Sequence, residues 1–65
     1  MTVLEFVSHL DCGVSVHISD IETHCFSNVR AEELEKEGYS GWHDLNVVDW
    51  SFTRNGVCYL EVKDV

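Results

Sequence analysis

Hydrophobic positions along the chain recur with two different periods, and the places where the period changes mark out the elements. Leu4, Phe6, Val7 and Leu10 follow a helical spacing. Thr2 precedes them with Glu5 three residues later, the signature of a capping box, and Gly13 closes the segment. The pattern predicts a short helix from Val3 to Leu10. Val14, Val16 and Ile18 then alternate with Ser15, His17 and Ser19, which predicts a strand with one dry and one wet face. Asp20-Ile21-Glu22 reads as a turn, and Thr23 to Ser27 as a returning strand with Phe26 as its core residue. Asn28 is placed to cap a second helix from Val29 to Glu37, with Gly38 suited to the left-handed position after the last turn. Only Ala31 and Leu34 give that helix an inner face. Tyr39 to His43 reads as a loop, Leu45 to Thr53 as a third strand and Val57 to Lys63 as a fourth.

Asn55-Gly56 marks a hairpin between the last two strands, and the length of its loop decides the register. A two-residue loop would set Val48, Trp50 and Phe52 on one face with Tyr59, Glu61 and Lys63. A three-residue loop, Arg54-Asn55-Gly56, pairs Thr53 with Val57 and groups Val48, Trp50 and Phe52 with Cys58, Leu60 and Val62. The second choice yields one dry face and one wet face, so it is preferred. The order α-β-β-α-β-β predicts an α+β fold: a four-stranded antiparallel sheet with two short helices on one face. The open face is expected to show Val57, Tyr59 and His17.

Composition bounds what such a fold can do. The chain has 65 residues, enough for a single compact domain of residues 1–65. At this size only about 60% of the unfolded surface is buried, so support from a second subunit is common. Twelve acids against four bases give a formal net charge of -8. Arg30, Lys36, Arg54 and Lys63 are scattered, which argues against direct binding to nucleic acid or to an anionic membrane. The first ten residues lack a basic start, and no apolar run approaches the ~20 residues of a membrane span. The expected location is the cytoplasm.

The candidate chemistry is sparse. Cys12, Cys25 and Cys58 form no CxxC pair, and His9-Cys12 and His24-Cys25 lack the paired knuckle spacing of structural zinc. The cysteines read as small hydrophobes in a reducing compartment, with no metal and no cofactor expected. Gly13, Gly38, Gly41 and Gly56 are isolated and form no phosphate loop. A thin single core leaves little room for a substrate pocket of ~300 Å3 or more, so no enzymatic activity is expected. The acids are the more informative group. Glu32, Glu33, Glu35 and Glu37 lie on the second predicted helix with Asp44 just beyond. They form either a solvated face or a patch that engages a basic protein groove. Trp42, beside Tyr39 and His43, is the best single candidate for a contact residue, and its bland alternative is a lid over the core.

Thr2-Val3-Leu4-Glu5-Phe6-Val7-Ser8-His9-Leu10-Asp11, then Val14-Ser15-Val16-His17-Ile18-Ser19-Asp20 and Ala31-Glu32-Glu33-Leu34, resemble a group of small acidic phage and prophage proteins from Gram-positive hosts. The resemblance implies a short helix, a V-x-V-x-I-x-D strand, a second strand, an A-E-E-L helix and a closing hairpin. Some small acidic phage proteins inhibit bacterial immunity, anti-CRISPR proteins among them. The resemblance implies a phage accessory protein; taken with the acidic patch, the expected function is an inhibitor in the host cytoplasm that binds a basic surface of a nuclease complex of a host defence system, by nucleic-acid mimicry or steric block. Glu32, Glu33, Glu35, Glu37, Tyr39, Trp42 and Asp44 would be its partner-binding residues. Two further readings stay open: a small-ligand or nucleotide sequestering protein with sites between subunits, and a non-catalytic assembly module. A homodimer is expected, through the open face at Val57 and Tyr59 or through a free strand edge.

Overall fold

A computed structural model describes residues 1–64. Its elements are helix α1 (Val3–Val7), strands β1 (Ser15–Asp20) and β2 (Phe26–Arg30), helix α2 (Ala31–Leu34), a 3-10 turn (Glu37–Tyr39), helix α3 (Ser40–His43), and strands β3 (Asn46–Phe52) and β4 (Cys58–Lys63). The sheet order is β2-β1-β4-β3. The class is α+β with a four-stranded sheet and short helices, but the sheet is mixed rather than antiparallel. The two hairpins, β1-β2 and β3-β4, are antiparallel, whereas β1 and β4 pair in parallel. The cause lies in the connection between the hairpins. Residues 31–45 cross the sheet from one edge to the other, and a crossover of this length is what parallel pairing requires.

The core is the inner face of the two central strands with the helical layer on top. Val16 and Ile18 of β1 and Cys58, Leu60 and Val62 of β4 are fully buried against Val3, Val7, Ala31 and Leu34. Phe6, Leu10, Val14, Val29, Tyr39, Trp42, Leu45 and Val47 close the margins. The predicted capping box is present: Glu5 N–H donates to Thr2 Oγ1, and Thr2 N–H donates to Glu5 Oε1 at 3.0 Å. The regular helix stops at Val7, and looser turns carry the chain to Leu10 through His9 N–H to Phe6 and Leu10 N–H to Val7 carbonyl bonds.

The last hairpin has the three-residue loop. Thr53 N–H donates to the Val57 carbonyl at 2.9 Å, Gly56 takes a φ of 80°, and Phe52 pairs with Cys58 and Trp50 with Leu60. Val48 departs from the predicted pattern. The register shifts between Val47 and Asp49, so Val48 is the bulged residue and is exposed, and Val47 turns inward opposite Val62. Trp50 and Phe52 do share the inner face, but β3 is an edge strand beyond the helical cover, and they remain 54% and 50% exposed.

The middle of the chain departs further. The second strand is Phe26–Arg30, not Thr23 to Ser27, because the first hairpin spends Ile21 to Cys25 on its turn. The Asp20 carboxylate accepts from the N–H groups of Glu22 and Thr23, and His24 takes a positive φ of 62° to complete the reversal. Phe26 is therefore not a core residue. It sits opposite Ser19 on the open face and is 66% exposed. Asn28 lies inside β2 instead of capping a helix, and the residue before α2 is Arg30, with no side-chain cap. The predicted helix from Val29 to Glu37 is reduced to four residues, since only Ala31 and Leu34 anchor it. Gly38 falls within the 3-10 turn rather than in a left-handed position, and the predicted loop at Tyr39 to His43 contains α3. Three short helices and a 3-10 turn thus replace the two helices expected. Of the cysteines, only Cys58 behaves as a buried hydrophobe, while Cys12 and Cys25 are exposed. Cys25 lies in the hairpin turn rather than in a strand.

Candidate functional site

Three surfaces carry the candidate residues. The first is the outer side of the helical layer. Glu32 and Glu33 occupy the first turn of α2, Glu35 its C-cap, Glu37 the start of the 3-10 turn and Asp44 the C-cap of α3, and all five are exposed. Two cations sit among them. Arg30 approaches Glu32 at 3.8 Å and Lys36 approaches Glu33 at 3.7 Å. Both pairs are well exposed, where such contacts contribute about 0–1 kcal/mol, so they moderate the negative field without removing it. Tyr39 and Trp42 belong to the same layer but turn partly inward and pack against the core. His43 is tied down as well, its Nε2 lying 2.7 Å from the Leu34 carbonyl oxygen. Trp42 thus packs as a partly buried lid on the core, and little of the layer's exposed surface is aromatic.

The second surface is an apolar groove between α1 and the edge of the sheet. Met1, Phe6, His9, Leu10, Trp50 and Phe52 enclose a volume of about 240 Å3. Its walls are held by ring contacts. Trp50 meets Phe52 edge-on at 5.8 Å between centroids, and Phe6 meets Trp50 at 5.8 Å in a tilted arrangement. Such pairs contribute about 0.5–1.5 kcal/mol each beyond their burial, which biases the rings towards this arrangement. Sequence reasoning assigned Trp50 and Phe52 to the core. The available signal was their position on the last-but-one strand, whose place at the sheet edge follows only once the crossover is known. Glu5 stands beside Phe6 on α1, and its carboxyl is held below the ordinary value by hydrogen bonds from the Thr2 backbone and hydroxyl.

The third surface is the open face. Tyr59 and Phe26 flank His17 there, at centroid distances of 5.2 Å and 5.7 Å. His17 Nδ1 lies 2.6 Å from Asn28 Oδ1. Val57 is half-buried just before β4, and Tyr59 is 46% exposed on the open face.

Among the described residues no cluster of three or more His, Cys, Asp or Glu side chains gathers around a common point. No helix among them is long and apolar enough to cross a membrane. Burial pushes the Cys58 thiol up from its ordinary pKa. The Asp20 carboxyl is held down, first by the Glu22 N–H and then by Thr23.

Comparison with protein families, with characterised proteins and with solved structures finds no match to this chain.

Proposed function

We propose that this chain is a non-catalytic protein-binding module that engages a cationic protein partner. The observation that carries this reading is the groove of Met1, Phe6, Leu10, Trp50 and Phe52, in which two half-exposed aromatic rings are locked against each other at the surface. Trp is the side chain most enriched among binding hot spots, and a pre-set rotamer reduces the ordering cost of association. A volume of about 240 Å3 in an open groove suits one large apolar side chain of a partner better than a whole small molecule, which usually occupies ~300–1,000 Å3.

The charge then selects among protein partners. A chain with a net charge of -8 repels anionic surfaces and draws cationic ones, and Glu35, Glu37 and Asp44 extend that field across the helical layer. A nuclease complex of a host defence system, the partner expected from the acidic patch together with the sequence resemblance, offers such a surface in the channel that holds its nucleic acid. In this reading the groove supplies the anchor and the acids steer the approach and compete with phosphate. Tyr39 and Trp42 support the layer from beneath.

Capture from host lysate tests the reading. Immobilised chain is expected to retain a nucleic-acid-processing complex that is released as salt rises, because exposed charges are screened over ~8 Å at physiological ionic strength. A Trp50→Ser bait is expected to lose it. Equal capture by both baits would rule out the groove as the docking site.

A further inference from the structure

The two edges of the sheet are treated very differently by the rest of the chain. The β3 edge is protected from its start as far as Trp50. Residues 1–3 run beside its start, with Val47 N–H donating to the Met1 carbonyl, Val3 N–H to the Leu45 carbonyl, and a bridge between Thr2 and Asn46. Next comes the bulge at Val48, and beyond it the Asp49 carboxylate accepts from the outward N–H of Trp50 at 2.8 Å. Bulges and acids of this kind are the usual means of preventing edge-to-edge pairing.

Among the described residues, nothing of this kind covers the β2 edge. Its register with β1 is continuous from Phe26 to Arg30. Two flanking bonds, Asp20 N–H to the Cys25 carbonyl and Ala31 N–H to the Val14 carbonyl, fix which pairs exchange hydrogen bonds. By the alternation of an antiparallel ladder, Ser27 and Val29 then bond inward to β1, and Phe26, Asn28 and Arg30 turn their N–H and C=O groups outward. These three outward residues are spaced symmetrically about Asn28. Two copies of β2 related by a twofold axis at Asn28 would pair Asn28 with itself and Phe26 with Arg30, and each pair would exchange both backbone hydrogen bonds.

The side chains and charges agree with that pairing. Phe26, Asn28 and Arg30 all project on the open face, so the exposed Phe26 ring of one copy would lie against the Arg30 guanidinium of the other, twice by symmetry. The Phe26 ring is already oriented, stacked on His17 at 5.7 Å with 24° between planes. Among the described residues Arg30 makes one ion pair, an exposed contact to Glu32 at 3.8 Å, which leaves the face of its guanidinium available. Each of the other strands contains an acid: Asp20 in β1, Asp49 in β3 and Glu61 in β4. Phe26-Ser27-Asn28-Val29-Arg30 contains none and includes a cation. It is the strand at which two copies of a strongly anionic chain repel each other least.

We infer that this protein self-associates through β2, with a second copy extending the sheet antiparallel across the Asn28 axis. The surface is short, so the dimer is weak and forms as concentration rises. The groove at the opposite edge stays free, and the inference is independent of what that groove binds.

Light scattering over a concentration series into the millimolar range, with amide hydrogen exchange on the same samples, tests this. The mass is expected to rise from 7.4 kDa towards twice that value. Protection at the Phe26, Asn28 and Arg30 amides is expected to rise with it, while the Phe52 amide stays unchanged. Phe26→Lys, which faces Arg30 of the second copy with a like charge, is expected to raise the dissociation constant roughly tenfold or more, since both cation–π contacts are lost. Arg30→Glu is the second variant, for use if Phe26→Lys fails to keep the far-ultraviolet dichroism of the parent. A mass that stays at one chain in the millimolar range overturns the inference. So does a dimer that survives both variants but is lost in Tyr59→Lys or Trp50→Lys.

Discussion

Replacing Leu60 by Ala tests the assignment of the two sheet faces. Leu60 lies at the centre of β4, opposite Ile18 on one side and Trp50 on the other, and is 1% exposed. Truncating its isobutyl group to a methyl removes three carbons and loses about 2.4 kcal/mol of transfer free energy at ~0.8 kcal/mol per carbon. The cavity adds to this, because neighbours on a central strand relax little, and Leu→Ala changes in cores cost about 3–5 kcal/mol in total. A domain of this size has roughly 3–10 kcal/mol to lose, at ~0.05–0.15 kcal/mol per residue. The melting temperature should fall by roughly 10 °C or more, since 1 kcal/mol shifts a small domain by ~4–8 °C. Tyr59→Thr is the matched control one residue away. It keeps a β-branched side chain on the strand and gives up chiefly the ring contact with His17, so its cost is about 1 kcal/mol. Both are read from thermal and urea unfolding followed by Trp fluorescence. A larger loss in Tyr59→Thr than in Leu60→Ala would refute the three-residue loop and exchange the two faces.

Other variants and conditions probe single features. Thr2→Ala removes the oxygen that caps α1 and is expected to lower stability by about 1 kcal/mol, measured by the same unfolding curves. Gly56→Ala should cost about 1–2 kcal/mol although no atom crowds the new methyl, because φ at that position is 80°; an unchanged midpoint would mean that the turn is not left-handed there. Asp20 and Glu5 have carboxyls held below their ordinary values in the folded state, so their contribution is present at neutral pH and lost as pH falls through the folded-state values. Stability should therefore decline on acidification, and Asp20→Asn should flatten the decline. Native protein should expose two thiols to a maleimide, Cys12 and Cys25, while Cys58 reacts only after unfolding.

What could be read from the sequence divides at the crossover. The first helix, its capping box and β1 follow from local signals that tertiary structure does not override, and so does the bulged hairpin, because one of its two registers mixes polar and apolar faces. The region from Asp20 to Leu45 does not yield to the same reasoning. Phe26 is bulky and apolar and invites a core assignment, yet the Asp20-centred turn moves the strand on and sets that ring on the open face. Helix formers from Arg30 to Glu37 suggest a continuous helix, but two inward residues anchor only four positions of it. The sheet's mixed character depends on which edge the chain reaches after residue 45, a choice made by packing and not by any local pattern. The apolar groove was illegible for the same reason: Trp50 and Phe52 are surface residues only because β3 lies outside β4.

If the aromatic groove of this anionic chain docks a cationic protein, the chain competes with nucleic acid for that partner. With the captured complex purified, labelled nucleic acid is bound to it and the chain is added in increasing amounts. Displacement is expected from the parent protein, weaker displacement from Glu35→Lys combined with Glu37→Lys, and none from Trp50→Ser, with the fold of each variant intact. Displacement by Trp50→Ser as strong as by the parent, or none by the parent at any concentration, would contradict that docking.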